Sequence, residues 1–162
     1  MSSPTLRIRA AGPEDFPAVN YLIEQVDWLH IDWYPEYFQP NGGKAARPES
    51  FLQRFVDSPE GDILLALDRA GLVGLAIVQI ERAMPLPLLR RAPRVQIDNL
   101  VVDDQQRGRG IGRALLRACQ DWAEARDIFE VQLTVYAANA EARRFYEQEG
   151  FEPLRHTYRL RW

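Results

Sequence analysis

The sequence predicts one α/β (α+β) domain built around a central mixed sheet, and three observations lead to this fold class. The 162 residues match one domain of ordinary size. Apolar positions follow the two-residue period of strands in some segments and the 3.6-residue period of helices in others. A strand–helix–strand unit in the second half of the chain requires a parallel pair of strands. We therefore expect residues 1–162 to form a single domain.

Composition and charge exclude several classes of protein. The chain has 20 Lys and Arg residues against 23 Asp and Glu residues, a net charge of −3, so no overall positive field attracts nucleic acid or an anionic membrane. The single cysteine, Cys119, cannot form an intramolecular disulfide, and with only two histidines a Cys/His metal site is not expected. Residues 1–16 contain charges and no long apolar run, which indicates neither a signal peptide nor a membrane anchor. These features predict a cytoplasmic location.

The first part of the chain predicts a strand and two helices. Residues 5–10 alternate apolar and basic side chains, as a strand does, and a helix follows from Pro13 through Ile23. Residues 49–56 place their apolar side chains on one helical face. Between the helices lies a long connection, residues 28–48, in which aromatic and acidic side chains are interleaved. Connections of this length are usually functional or mobile.

The middle of the chain predicts antiparallel pairing. Two apolar runs, residues 62–68 and 72–81, are joined by a short turn that ends in glycine, which is typical of a hairpin. After a proline-rich loop at residues 83–93, a further strand is expected at residues 95–102. Its apolar positions change phase near Asp98, which indicates a β-bulge there.

The last part of the chain predicts the parallel pair. From Gly110 the apolar residues recur at helical spacing over several turns, and residues 129–135 then alternate as a strand. Asn139 is positioned to cap a short helix that Gly150 ends. A last strand is expected at residues 155–160.

The segment that joins the strand at residues 95–102 to the long helix reads Arg-Gly-Arg-Gly-Ile-Gly, residues 107–112, and we call it the glycine turn. Its glycines have no Cβ atoms to keep a ligand away from the backbone. The start of a helix presents unpaired N–H groups that carry a partial positive charge. The glycine turn therefore predicts an anion-binding site in an acidic protein.

Two well-known phosphate-binding patterns do not fit the glycine turn. A P-loop requires a lysine directly after its glycines, and the only lysine of this chain is Lys44. A dinucleotide fingerprint that starts at Gly108 requires a glycine where Arg113 stands, and the strands before it form a hairpin. A nucleotide-dependent oxidoreductase is therefore a weak alternative.

A third pattern fits the turn at every position. Residues 107–112 match the signature [QR]-x-x-G-x-[GA] of the GNAT superfamily of N-acetyltransferases, with Leu-Val-Val at residues 100–102 before it. Asn139, the Phe-Tyr-Glu run around Tyr146, and a Gly-Phe pair at residues 150–151 follow in the order of that family. The chain thus resembles the GNAT superfamily. The resemblance implies a sheet of six to seven strands, with an antiparallel first half and a splayed parallel pair, flanked by about four helices.

The resemblance also implies that acetyl-CoA is the cosubstrate, with its pyrophosphate on the backbone of the glycine turn. Its pantetheine arm would pair with residues 100–102 like an added strand, and Tyr146 would reach its sulfur. The implied CoA-binding residues are Leu100, Val101, Val102, Arg107, Gly108, Arg109, Gly110, Ile111, Gly112, Arg113, Asn139 and Tyr146.

The chemistry of amide formation requires a base. An alkyl amine with a pKa of about 10.4 is almost fully protonated at pH 7, so a proton must leave before the amine attacks the thioester. Asp98 is our leading candidate for this base, and Glu36, Asp32 or a water molecule are alternatives. A strand N–H near Leu100 or Val101 could stabilise the oxyanion. Tyr146 is the second catalytic candidate, as the group that orients or protonates the departing sulfur.

The predicted reaction is direct acetyl transfer to a primary amine of a small molecule or peptide. Cys119 falls on the apolar helix face, which favours a core role over that of a nucleophile. The alternative function is a non-catalytic acyl-CoA-binding module. The last strand, with Trp162, offers an edge for a homodimer. The candidate acceptor-binding residues, which could instead form a second small core, are Trp28, His30, Trp33, Tyr34 and Glu36.

Overall fold

The computed structural model of the protein describes residues 5–162, and within them one sheet is flanked by helices on both faces. The strands are β1 (Arg7–Ala10), β2 (Gly61–Asp68), β3 (Gly71–Glu81), β4 (Arg94–Val102) and β5 (Val131–Leu133). The helices are α1 (Phe16–Trp33), α2 (Glu49–Asp57), α3 (Ile111–Glu124) and α4 (Ala140–Gln148). Among these helices none is long and apolar enough to cross a membrane.

The strands lie in the order β1-β2-β3-β4-β5, which is also their order along the chain. The first four pair antiparallel, and β4 and β5 pair parallel through the α3 crossover. The predicted hairpin, the antiparallel first half and the parallel pair are therefore confirmed. Parallel pairing joins Val95 to Val131 and ends with Ile97 and Leu133, whereas β4 continues through Val102. The two strands therefore stop pairing five residues before the end of β4.

The predicted β-bulge is confirmed at Asp98. Ile77 of β3 pairs with Asn99, and the next residue, Val78, pairs with Ile97, so Asp98 has no partner on β3. An extra residue of this kind changes which side chains face each side of the sheet. It explains why Ile97 and Leu100 both contact the α3 side of the sheet although they are three positions apart.

Each face of the sheet has its own hydrophobic core. On one face α1 and α2 bury Leu22 and Leu52 against Ile77. On the other face α3 buries Leu115 against strand residues that include Val78. A Cβ atom at Gly74 of β3 would lie 3.0 Å from side-chain atoms of α3, so this position lets the helix approach the sheet closely. The seating of α3 determines where the glycine turn presents its N–H groups.

Removing Leu115 should loosen that seating. Leu115 is fully buried between α3 and the sheet. We expect Leu115→Ala to lower the free energy of unfolding by about 2–5 kcal/mol, because it leaves a cavity under the helix. Chemical denaturation measures the change, and Leu88→Ala, at a side chain that is 83% exposed, is the control. Equal stability of the two variants would contradict the packing described here.

The predicted six to seven strands are not found, because the sheet has five within the described residues. The expected last strand, residues 155–160, has no regular secondary structure and no neighbouring strand, and a strand requires a partner for its backbone hydrogen bonds. The strand expected at residues 129–135 is reduced to Val131–Leu133. Its ends lose their partner as β4 and β5 separate, and Phe129 is 82% exposed.

The long aromatic connection also begins later than predicted. α1 continues through Trp33, and the N–H of Tyr34 still donates to the carbonyl of His30 at 2.9 Å, so the first part of the expected connection is helical. Two hydrogen bonds between the side-chain amide of Asn20 and the backbone of Arg47, at 2.7 and 3.1 Å, tie the end of the connection back onto α1. The connection therefore starts at Tyr34.

Candidate active site

The glycine turn has the backbone geometry that anion binding requires. Gly108 and Gly110 have φ values of +76° and +77°, a region that residues with a Cβ atom rarely adopt, and a Cβ at either would meet open space. The first helical hydrogen bond runs from the N–H of Ala114 to the carbonyl of Gly110 at 3.0 Å. The N–H groups of residues 111–113 therefore lack an acceptor within α3. They are available to a ligand at the positive end of the helix dipole.

Each arginine of this region pairs with an acidic residue. The pairs are Arg107 with Glu141 at 3.5 Å, Arg109 with Asp68 at 3.0 Å and Arg113 with Glu149 at 2.7 Å. The Arg113 guanidinium also holds the pKa of Glu149 below its usual range. Arg107 and Glu141 are both exposed, so a phosphate can replace this carboxylate at modest cost, whereas the side chains of Asp68 and Glu149 are largely buried and would lose a partner. The fixed donors are the backbone N–H groups, and the arginines lie around them.

Gly112 has a second role that the sequence pattern does not reveal. A Cβ atom here would lie 3.0 Å from the ring of Phe145 on α4. The small residue therefore lets α3 and α4 approach each other, and this contact places the next residue of α4, Tyr146, beside the core of α3. The last residue of the signature serves helix packing as well as backbone access.

Tyr146 is largely surrounded by apolar groups. Its ring lies 5.2 Å from that of Phe145 and 5.6 Å from that of Phe151. Burial, with a smaller contribution from Cys119, raises the pKa of Tyr146 to about 12. The phenol therefore stays protonated at neutral pH. It can therefore act as a hydrogen-bond donor.

Asn139 caps α4 as predicted. Its side-chain oxygen accepts a hydrogen bond from the N–H of Ala142 at 3.0 Å, which leaves the NH₂ group as the part of the amide able to donate to a ligand. Directly before it, the N–H of Ala138 donates to the hydroxyl of Tyr34 at 3.1 Å. This bond brings the end of α1 next to the start of α4.

Asp98 projects from the bulge toward the face covered by α1 and α2. Its carboxylate accepts a hydrogen bond from the side-chain amide of Gln79 at 2.7 Å. The side chain reaches solvent, yet the protein around it displaces much of its water, and this desolvation raises the pKa of Asp98. The hydrogen bond from Gln79 opposes that rise, and the negative charge of Glu81 adds to it. A carboxyl group with a raised pKa is a stronger base when ionised.

Tyr146 and Asp98 lie on opposite sides of the sheet. Tyr146 packs with the core on the α3 side, whereas Asp98 bonds to Gln79 on the α2 side. Beyond Ile97, the backbone of β4 has no parallel neighbour among residues 5–162. A ligand that pairs with residues 100–102 would have Tyr146 on one side and Asp98 on the other.

The predicted acceptor residues lie in different surroundings. His30, Tyr34 and Phe38 form an aromatic cluster around Tyr136, whose ring lies 5.0–5.6 Å from each of theirs. Trp33 touches the edge of this cluster, 6.1 Å from His30. Trp28 is 51% exposed on the outer side of α1. The rings of His30, Tyr34, Phe38 and Tyr136 pack on one another, and the Tyr34 hydroxyl contacts the residue before Asn139.

His30 makes the aromatic cluster sensitive to acid. Burial lowers the pKa of His30, an effect that Asp27 opposes and Arg47 increases. Because the folded-state pKa lies below the unfolded value of about 6.5, the neutral ring stabilises the fold above about pH 6.5. That contribution is lost as the pH falls. We expect the melting temperature of the native chain to fall more between about pH 7.5 and 5.5 than that of His30→Phe, measured by circular dichroism. Parallel curves for the two proteins would contradict this role.

Glu36 forms ion pairs with residues at the C-terminal end of the described chain. Its carboxylate forms ion pairs with Arg159 and, at 3.3 Å, with Arg161. A hydrogen bond from its own backbone N–H and the Arg159 guanidinium hold the pKa of Glu36 below its usual range. Glu36 is therefore a poor proton acceptor in this arrangement, which strengthens the case for Asp98. Asp32 is exposed on α1.

Two residues near the site were not singled out from the sequence. Gln79 anchors the carboxylate of Asp98, and Tyr136 is the centre of the aromatic cluster. A polar residue at the end of the apolar run of β3 was a signal for Gln79. Tyr136 follows β5 directly and resembles an ordinary strand residue in the sequence.

Cys119 is fully buried, and burial raises the pKa of Cys119 to about 12. The predicted core position of this residue is confirmed. Its thiol is protonated at neutral pH and has no access to a substrate. Among residues 5–162, no cluster of three or more His, Cys, Asp or Glu side chains could hold a metal ion.

Comparisons with known proteins concern the family and the fold. The model of the Acetyltransferase (GNAT) family matches residues 23–151. A mycothiol acetyltransferase of Beutenbergia cavernae is 46% identical over 55 residues, which are 34% of this chain and 18% of that protein. The chain spans less than half the length of the curated relatives that it matches.

Solved structures share the whole fold. A tetramutant of the BH1408 protein from Bacillus halodurans has a TM-score of 0.91 at 27% identity, over 96% of this chain and 99% of that one. The aminoglycoside N-acetyltransferase AAC(6')-Iy in complex with CoA has a TM-score of 0.76 at 16% identity, over 99% and 97% of the two chains. The second likeness concerns the fold alone.

Proposed function

Because the chain belongs to the GNAT acetyltransferase family, we propose that it transfers an acetyl group directly from acetyl-CoA to a primary amine of a small molecule or peptide. The observation that carries the proposal is the set of free N–H groups of residues 111–113 beside two glycines with positive φ. This geometry suits a diphosphate. The acyl carrier of the family contains one.

The backbone holds the cosubstrate in this proposal. The diphosphate accepts hydrogen bonds from residues 111–113, and Arg107, whose ion pair with Glu141 is exposed, exchanges its carboxylate partner for a phosphate oxygen. The amide-containing arm follows residues 100–102, where β4 offers unpaired backbone groups, and the NH₂ group of Asn139 donates to it. These contacts place the thioester in the gap between β4 and β5.

Asp98 accepts the proton of the incoming ammonium group. Its raised pKa lies closer to neutrality than that of an ordinary aspartate, which makes proton transfer from the amine easier. The hydrogen bond from Gln79 fixes the carboxylate at the bulge. The freed lone pair attacks the thioester carbonyl, and the N–H of Leu100, which points away from β3, stabilises the oxyanion that forms.

Tyr146 orients the leaving sulfur and stabilises it by hydrogen bonding. The pKa of about 12 for Tyr146 exceeds the pKa of about 8.5 for a thiol. Complete transfer of the phenolic proton to the thiolate is therefore uphill by roughly 5 kcal/mol. A strong hydrogen bond to the developing thiolate avoids this cost. The departing thiolate of CoA is protonated to the thiol. This proton comes from the amine, through Asp98 or water.

The acetyl group passes in one step. The buried thiol of Cys119 is not available for an acyl-enzyme intermediate, so the amine attacks the thioester itself. The acceptor approaches between the aromatic cluster and the loop at residues 83–93. A relative named for mycothiol acetyl transfer supports a small-molecule acceptor.

The test is an acceptor panel. Purified protein, acetyl-CoA and a set of small amines and short peptides are combined, with release of the CoA thiol and acetylated product measured by absorbance and mass spectrometry. The proposal predicts stoichiometric thiol and N-acetyl product with at least one amine. The alternative, a non-catalytic acyl-CoA-binding module, predicts tight CoA binding with no turnover of any acceptor.

A further inference from the structure

We propose that the acceptor carries a carboxylate as well as its amine, and that Arg54, in the last turn of α2, binds this carboxylate. The inference rests on the proposed acetyl transfer, because it names the class of amine that the same site would take, which is a small amino acid. Three observations carry it. A cavity adjoins Asp98, an arginine without an acidic partner lies in its wall, and its lining offers groups for both ends of an amino acid.

A cavity of about 270 Å³ lies between the end of α2 and the strands β2 and β3. Its lining includes Arg54, Ser58 and Gln79. Gln79 is also the residue whose side-chain amide donates to Asp98 at 2.7 Å, so the cavity adjoins the proposed base. Sites for drug-sized ligands have volumes of roughly 300–1,000 Å³, and this cavity therefore suits a small acceptor.

Two aromatic rings support the guanidinium of Arg54. Its central carbon lies 4.5 Å from the centre of the Phe51 ring and 4.7 Å from that of Phe55. Phe55 is buried, and a Cβ atom at Gly61 of β2 would lie 3.1 Å from its ring, so the lack of a side chain at Gly61 lets this ring pack on the strand. A guanidinium that stacks on rings keeps the N–H groups at its edge free to donate to a carboxylate.

The charge of Arg54 is not neutralised by the protein. The acidic residues nearby pair with other arginines, Glu60 with Arg82 and Glu81 with Arg94. Within residues 5–162 no acidic side chain forms an ion pair with Arg54, although Glu60 lines the same cavity. A carboxylate that enters the cavity would therefore bind Arg54 without displacing a protein partner, and the planar guanidinium can hold both of its oxygens.

Other polar groups of the cavity can assist at either end of the acceptor. The hydroxyl oxygen of Ser58 accepts a hydrogen bond from the N–H of Glu60 at 3.1 Å, which leaves its own O–H able to donate to a carboxylate. The NH₂ group of Gln79 donates to Asp98, which leaves the amide oxygen able to accept from an ammonium group. The lining therefore provides a donor beside Arg54 and an acceptor beside Asp98.

Charge fixes the direction in which an amino acid would lie. Burial raises the pKa of Asp98, the negative charge of Glu81 adds to this rise, and the positive charge of Arg54 opposes it. Asp98 and Arg54 are therefore near enough for their charges to interact. An acceptor with its ammonium group at Asp98 and its carboxylate at Arg54 is attracted at both ends, whereas the reverse direction brings like charges together. A second ammonium group in place of the carboxylate would be repelled by Arg54.

The experiment compares three amino acids with their own amides. Acetyl transfer from acetyl-CoA is measured for glycine, β-alanine and γ-aminobutyrate and for the three corresponding carboxamides, with the native chain, Arg54→Gln and Arg54→Lys. The series varies the separation of the amine and the carboxylate. Arg126→Gln is the matched control, because Arg126 is also exposed and its guanidinium carbon lies 3.7 Å from the centre of an aromatic ring, that of Trp122.

We expect the native chain to prefer at least one acid over its amide in kcat/KM. Arg54→Gln should lower this preference roughly 10-fold, the effect of losing one hydrogen bond to a charged group, and the loss should lie in KM rather than kcat. Arg54→Lys keeps the charge and should retain part of the preference, while Arg126→Gln should retain all of it. A purely structural role of Arg54 would instead change the rates for acid and amide together.

Calorimetry separates this inference from the proposed function. Each of the three acids is titrated into the complex of the protein with CoA, which measures acceptor binding without turnover, and the native chain should bind more tightly than Arg54→Gln. If no amine were acetylated, the proposed function would fail and this titration alone would decide the role of Arg54. Acetylation without a preference for acids, or with a preference that Arg54→Gln retains, would overturn the inference and leave acetyl transfer intact. Absence of binding by all three acids would also overturn it.

Discussion

Gly110→Asp should abolish measurable binding of CoA. The substitution places a carboxylate beside the free N–H groups of residues 111–113, where the diphosphate is proposed to lie. Repulsion between two unit charges about 4 Å apart is about 4 kcal/mol near a protein surface, so an affinity loss of about 100-fold or more is expected even after partial screening. Isothermal titration calorimetry with CoA measures the effect.

A matched control separates charge from backbone strain. Gly43 has a φ of +80°, close to the +77° of Gly110, and a Cβ there also meets open space. Gly43→Asp therefore introduces the same strain and charge in the connection before α2, outside the glycine turn, and its CoA affinity should be native. Gly110→Asn keeps the side-chain size without the charge and should bind with intermediate affinity. If Gly110→Asp bound CoA with native affinity, the diphosphate could not lie at this site.

Asp98→Asn should reduce turnover by about 100-fold or more, in the range expected when a general base is lost. Without the carboxylate, the amine must lose its proton to solvent, so activity should follow the amine pKa of about 10.4 and the pH optimum should move upward. In the native enzyme, kcat/KM should rise with pH through the pKa of Asp98, above the usual aspartate range. Steady-state kinetics from acidic to alkaline pH test both statements.

The stability of the same variant provides an independent check. A carboxyl group whose folded-state pKa is raised destabilises the fold when it ionises, so stability decreases as the pH rises through that pKa. Asp98→Asn should therefore unfold at the same or a slightly higher temperature than the native chain at pH 7. Asp121→Asn, at an exposed position of α3, removes the same charge and should leave turnover unchanged. If the pH profile of Asp98→Asn were unaltered, another group or a water molecule would be the base.

Local sequence signals made the glycine turn and the elements around it predictable. The helical spacing of α3, the phase change at Asp98 and the cap at Asn139 each depend on neighbours within a few positions of the chain. The glycine turn is equally local, because positive φ values at Gly108 and Gly110 follow from the residue type. The glycine turn and Asn139 are also the residues on which the resemblance to the family depends.

Contacts between distant residues were not predictable in the same way. The hydroxyl of Tyr34 meets the N–H of Ala138, and Arg109 meets Asp68, across long stretches of chain. The end of α1 was misplaced because its last turn is rich in aromatic residues that also suit a loop. The segment 155–160 has a strand pattern, but a pattern does not supply the neighbouring strand that pairing requires.

The central claim is that backbone N–H groups at the start of α3 hold the diphosphate of the acyl carrier. A crystal structure of the protein with CoA measures this directly. We predict diphosphate oxygens about 3 Å from the backbone nitrogens of residues 111–113, with the arm of CoA beside residues 100–102. A diphosphate bound elsewhere, or held by arginine side chains while those N–H groups face water, would contradict it.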